Sequence, residues 1–200
     1  MAGLIEVKSL SITDALKYLG EDKYAVSLEN AWYRRLLYRI GDSEDESRRI
    51  GRFLDAHPFQ LTYVFLSMVE WLPKNTHRLL WIDHFADGFP SQKNHFLNII
   101  GDNLASDHLV ENPAILFGPL SDDLEDQLAG TPQQNVEAEA LVTLCILLSV
   151  GQWDAKLLSC GSTDYVEFWE GNLLFYSEST EALNRAAEMF DFYDLKTPLA

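Results

Sequence analysis

From Trp153 to Ser177 (WDAKLLSCGSTDYVEFWEGNLLFYS) short runs rich in aromatic and aliphatic residues flank Gly171-Asn172. This pattern predicts a three-stranded antiparallel meander, with Gly171-Asn172 as a two-residue turn that uses glycine where φ is positive. Counted outward from that turn, Phe168 faces Phe175 and Leu157 lies across from Phe168, so one face carries an apolar row that must be buried. The other face pairs Glu167 with Tyr176 and Leu158, and Trp169 with Leu174 and Lys156. It is expected to look toward solvent or a partner.

The remainder of the chain reads as mostly helical. Leu4 to Leu19 begins as an extended piece and continues into a short helix, with Ser11 or Thr13 as N-cap and Gly20 as its stop. From Leu28, the one-turn spacing of Trp32, Leu36 and Ile40 predicts a helix ending at Gly41. Asp42 to Pro58 has acids early and Arg48, Arg49 and Arg52 later, the order a helix dipole favours. Pro58 to Pro73 is apolar nearly all round and reads as a central core helix. His77 to Phe85 fits either a buried strand or a helix, with a helix or irregular segment preferred. Further helices are expected at Gln92 to Leu104, from Ser121 to Gly130, and from Val136 to Val150. A short strand is expected within Asn112 to Phe117. Ser179 caps a last helix whose buried stripe is Leu183, Ala186, Ala187 and Phe190. The expected fold is therefore one α+β domain, in which a helix-rich N-terminal two-thirds packs on a small antiparallel meander (153–177) and a C-terminal helix closes it.

Charge changes this picture more than composition does. The net charge of the 200 residues is −16, but residues 1–100 hold 12 Lys/Arg against 13 Asp/Glu, while residues 101–200 hold 3 against 18. Between Lys93 and Lys156 there are ten acids and no Lys or Arg. Such a field repels nucleic acid and anionic membranes and speeds the approach of basic partners. The two cysteines make no disulfide framework, which fits a reducing cytoplasm. The longest apolar run, Ala140 to Val150, is about half of what a bilayer span needs, and the N-terminus lacks the pattern of a signal peptide.

No catalytic signature is present. His77, Asp83 and His84 lack a metal-ligand pattern such as HExxH, and His95 and His108 add none. Asp122, Asp123, Glu125 and Asp126 lack the alternating ligands and terminal glutamate of a calcium loop. There is no nucleophile elbow and no glycine-rich phosphate loop. The expectation is a protein with no cofactor, no metal and no catalytic residue. Its partner-binding residues are expected to be Trp169 and Tyr176 as anchors, Asp164, Glu167 and Glu170 as the charged surround, and the Asp122, Asp123, Glu125, Asp126 cluster as a second acidic surface.

In general layout the chain resembles the cytoplasmic immunity proteins that bacteria pair with polymorphic or contact-delivered toxins. The likeness rests on a small acidic body, the HRLLWIDHF and NPAILFGP segments, and the late meander followed by a helix. It implies stoichiometric binding and occlusion of a toxin, with no chemistry performed by this chain. Two other classes stay open: an acidic mimic of nucleic acid that inhibits a nucleic-acid-binding enzyme, and a small enzyme with an unrecognised site.

Overall fold

A computed structural model of the chain describes residues 8–20, 24–30, 33–39, 48–54, 58–71, 77–84, 113–118, 132–151 and 153–197. Its elements in order are β1 (Lys8–Leu10), α1 (Ile12–Leu19), β2 (Tyr24–Asn30), β3 (Tyr33–Arg39), β4 (Arg49–Phe53), α2 (Pro58–Trp71), β5 (Arg78–His84), β6 (Ala114–Phe117), α3 (Pro132–Gly151), β7 (Asp154–Ser159), β8 (Tyr165–Trp169), β9 (Asn172–Tyr176) and α4 (Thr180–Phe192).

The molecule is built on one antiparallel sheet rather than on a helical body. Its strand order is β1-β6-β5-β7-β8-β9-β4, with β2 paired to β3 and β3 paired to β5. The expected helix-rich N-terminal two-thirds on a small meander is therefore corrected. The meander β7-β8-β9 is the middle of a sheet whose other strands come from residues 8–117. Two stretches read as helices are strands instead, for identifiable reasons. Trp32, Leu36 and Ile40 recur every four residues, a spacing that is one helical turn but also two strand repeats, and Leu36 lies in β3. The arginine-rich stretch of β4 meets β9 along five consecutive residue pairs, from Arg49↔Tyr176 to Phe53↔Asn172. A full ladder against a central sheet outweighs a favourable dipole contribution of roughly 0.3–1 kcal/mol.

β5 was the ambiguous segment, and it is a strand buried on both sides. Leu80 and Ile82 enter one apolar cluster while Leu79 and Trp81 enter the other. A strand covered on both faces shows no alternation, which is why its apolar run was unreadable by period. Short β6 holds the place expected for it, and α3 runs from Pro132 to Gly151 with Leu141, Leu144, Cys145 and Leu148 buried. The helices expected at 92–104 and 121–130 lie outside the described residues.

The two faces are covered differently. On one, Ile115, Ala155, Leu157, Val166, Phe168, Leu173 and Phe175 pack against α2, α3 and α4. Phe65 of α2 meets Phe168 with ring centroids 5.6 Å apart. On the other, Leu79, Trp81, Ala114, Leu116 and Leu158 meet Leu10, Ala15 and Leu19 from the β1-α1 segment and Leu36 from β3. Helix α1 is capped by Ser11, whose hydroxyl accepts from Asp14 N, and its C-cap is Gly20 at φ 83°. Ser179 caps α4 in the same way, accepting from Ala182 N. The α4 stripe is Leu183, Ala186, Met189 and Phe190, with Ala187 only half-buried. Among the described residues no helix is long and apolar enough to cross a membrane.

Candidate partner-binding face

The β8-β9 turn sets the geometry of the face. Its two central residues are Glu170 and Gly171, both at positive φ (48° and 75°), and Trp169 pairs with Asn172 across it. Such a loop follows the right-handed twist of its strands. Asn172 Nδ2 donates to the carbonyls of Trp169 and Glu170, each at 3.2 Å, and Asp154 Oδ1 accepts from Glu170 N at 3.1 Å. The turn thus lies one residue earlier than Gly171-Asn172, which moves every β8-β9 pair by two, and the β7-β8 pairs also differ by two from those expected. Phe168 faces Leu173, Phe175 faces Val166, and Ala155 faces Phe168. A shift of two keeps each residue on its expected face.

What changes is who meets whom. One row of this face runs Trp81, Lys156, Glu167, Leu174, Gly51, and the next runs Leu158, Tyr165, Tyr176, Arg49. Lys156 and Glu167 are therefore direct cross-strand partners, with Nζ and Oε1 3.3 Å apart and both side chains buried. Lys156 Nζ also donates to the carbonyl of Leu36, while Asp83 Oδ1 accepts from Leu36 N at 2.7 Å. The main chain of β3 lies over this part of the sheet. Glu167 is only 6% exposed, so it is not the outward charge it was expected to be.

The other expected residues are distributed unequally. Trp169 and Tyr176 are half-buried, and Tyr176 stacks on Tyr165 with ring centroids 4.4 Å apart. Burial first, and then the Glu167 carboxylate, push the Tyr176 hydroxyl above the usual tyrosine range, against the opposing pull of Arg49. Asp164 is half-buried, its N–H donating to Ser162 Oγ, and Glu170 stands exposed at the turn. Asp122, Asp123, Glu125 and Asp126 lie outside the described residues. The structure brings Glu167, Tyr176 and Trp169 onto one face but closes that face over its only carboxylate in the row.

Sequence reasoning missed Lys156 and Asp83 as structural groups. For Lys156 the deciding feature is the β7-β8 register, set by the 160–164 connection, which places opposite charges directly across the ladder. For Asp83 there was no signal, because its partner is a backbone amide 47 positions away. Burial pushes the Cys160 thiol up to about 11 and raises that of Cys145 further, so both are protonated near neutral pH. Among the described residues no group of three His, Cys, Asp or Glu is placed to hold a metal ion.

Comparison with protein-family models, with curated proteins and with solved structures finds no match.

Proposed function

We propose that this chain is a non-enzymatic, acidic protein-binding module that docks a basic protein in the cytoplasm, in the manner of an immunity protein that occludes a toxin. The observation that carries the reading is the sign of the exposed charge in the C-terminal part. Across residues 161–197 the exposed ionisable side chains are the acids Glu170, Glu178, Glu181, Glu188, Asp191 and Asp194 against the bases Arg185 and Lys196, with Asp191 paired to Arg52 and Glu178 to Arg48 of the neighbouring β4 segment. A surface so biased accelerates encounter with basic proteins and rejects anionic ones. The buried carboxylate Glu167 is compensated within the fold, so it adds nothing to this field.

The test is purification of the tagged chain from its own cells, followed by assay of any captured protein with and without an equimolar amount of the chain. One basic enzyme, inhibited at a one-to-one ratio, is the expected result. A captured protein whose activity is unaffected ends the occlusion reading, and capture of enzymes that bind DNA or RNA through a shared site favours nucleic-acid mimicry.

A further inference from the structure

Helix α2 buries Leu61, Val64, Phe65 and Met68 and turns Phe59, Tyr63 and Leu66 outward. The outward three stand at i, i+4 and i+7, one stripe of the helix. Phe59 is 74% exposed and Tyr63 57%. The stripe continues onto the end of α4, where Tyr63 stacks on Tyr193 at 6.3 Å with the rings 7° from parallel. Phe192, 81% exposed, meets Tyr193 edge-on at 5.0 Å. Gln60 Nε2 donates to the Tyr193 carbonyl at 3.2 Å and ties the two helices together. Large aromatics exposed together mark an interaction surface far more often than aromatics exposed singly. Around them stand exposed carboxylates: Glu188 one turn before Phe192, and Asp191 and Asp194 on either side of Phe192 and Tyr193.

Helix α4 already holds one guanidinium, against the buried Phe190 ring. Arg52 of β4 lies over the Phe190 ring at 5.6 Å and bonds Asp191 Oδ1 through Nη2 at 2.9 Å. This pairing of an aromatic face with a carboxylate is the chemistry that recognises arginine.

We infer that the α2-α4 aromatic surface, Phe59, Tyr63, Leu66, Phe192 and Tyr193 with its rim of Glu188 and Asp194, is the docking site for an arginine-bearing segment of the basic partner. The inference rests on the proposed binding of a basic protein and names where and how it happens. The aromatic rings supply the desolvated contact, and the carboxylates select and steer the guanidinium groups.

The probe is an amphipathic peptide of about 16 residues, near the length an isolated helix requires, with arginines flanking a leucine stripe. A copy with glutamine in place of arginine is the control. Calorimetric titration is expected to show binding of the arginine peptide to the wild-type chain and a loss of roughly thirtyfold or more in Tyr63→Ala/Phe192→Ala, the scale of an interface hot spot. Glu188→Gln/Asp194→Asn is expected to weaken binding about fivefold and to flatten its salt dependence. Asparagine suits position 194, which has φ 56°. Because these side chains are exposed, thermal melts of all variants should overlay the wild type.

Equal binding to wild type and the aromatic variant overturns the assigned surface, while the acidic reading stands on the cell purification. Equal binding of the arginine and glutamine peptides overturns the arginine assignment, as does no binding of either. A wild-type dimer in light scattering that Tyr63→Ala/Phe192→Ala dissociates shows that the stripe is filled by a second copy, and overturns the proposal.

Discussion

The two faces of the sheet are covered by different kinds of element, and their chemistry differs accordingly. Toward α2, α3 and α4 the sheet presents an apolar layer around Phe168, interrupted by the buried Arg78, which alternates with Leu80 and Ile82 on β5 and pairs with Phe117. Toward β3 it presents a smaller apolar cluster around Trp81 and, beside it, the buried charges Asp83, Lys156 and Glu167. Helices satisfy their own backbone hydrogen bonds, so they cover a sheet with side chains alone. A strand laid over a sheet does not. Leu36 sits opposite Val26 in the β2-β3 ladder, yet its N–H and C=O are taken by Asp83 and Lys156. Each buried main-chain group left without a partner costs about 1–3 kcal/mol, so polar side chains are needed under β3, and Glu167 then compensates the ammonium they introduce. The difference teaches that Asp83, Lys156 and Glu167 are buried together because the covering strand leaves main-chain groups of Leu36 to be met.

Glu167→Lys breaks this comparison most severely. It would place two ammonium groups across one buried ladder pair, and a loss of about 5 kcal/mol is expected from a broken buried pair with added repulsion. Denaturant unfolding measures it, and a variant as stable as wild type would show that this face is open to water. On the helical face Phe168→Ala should lose about 4 kcal/mol through the cavity left against Phe65. A loss below about 1 kcal/mol, in the range of a surface change, would mean that the face relaxes as freely as a surface.

The double variant Lys156→Met/Glu167→Leu sharpens the account. With both charges gone, the main remaining defect is the Leu36 carbonyl, and about 2 kcal/mol should be lost. If the double variant is as damaged as Glu167→Lys, the pair does more than serve β3. The smallest effect is at alkaline pH. The folded-state pKa of Tyr176 lies above the ordinary tyrosine value of 10.0, so its contribution is fully present below that value and is lost as pH rises through the raised one. Tyr176→Phe should remove that part of the alkaline decline, read as the difference between wild-type and variant melting curves above pH 10. Identical declines would place the titrating group elsewhere.

The candidate site was legible in part. The strands of the meander, the side taken by each residue and the half-exposed positions of Trp169 and Tyr176 followed from alternation around a glycine turn. The partners across the β8-β9 ladder did not, because Glu170 at positive φ moved the turn by one residue and no rule about glycine alone distinguishes the two placements. The exposed stripe of α2 was hidden by its composition. An all-apolar sequence is the same whether both sides or only one is buried, and only the packing of Leu61, Val64, Phe65 and Met68 against the sheet left Phe59, Tyr63 and Leu66 outside.

By itself the sequence determined what is local: the meander, the cap at Ser179 and one at Ser11 or Thr13, the helices α1 to α4, and the excess of acids in the second half. Only the tertiary structure decided that β2, β3 and β4 are strands, that β5 is buried on both sides, and that Asp83 and Lys156 serve Leu36. A spacing of four residues satisfies helix and strand alike, and a continuous apolar run satisfies either buried element. In such segments local preference is worth tenths of a kcal/mol per residue. The choice falls to the sheet waiting 40 to 120 positions away, as the contacts of Leu36 with Asp83 and Lys156 show.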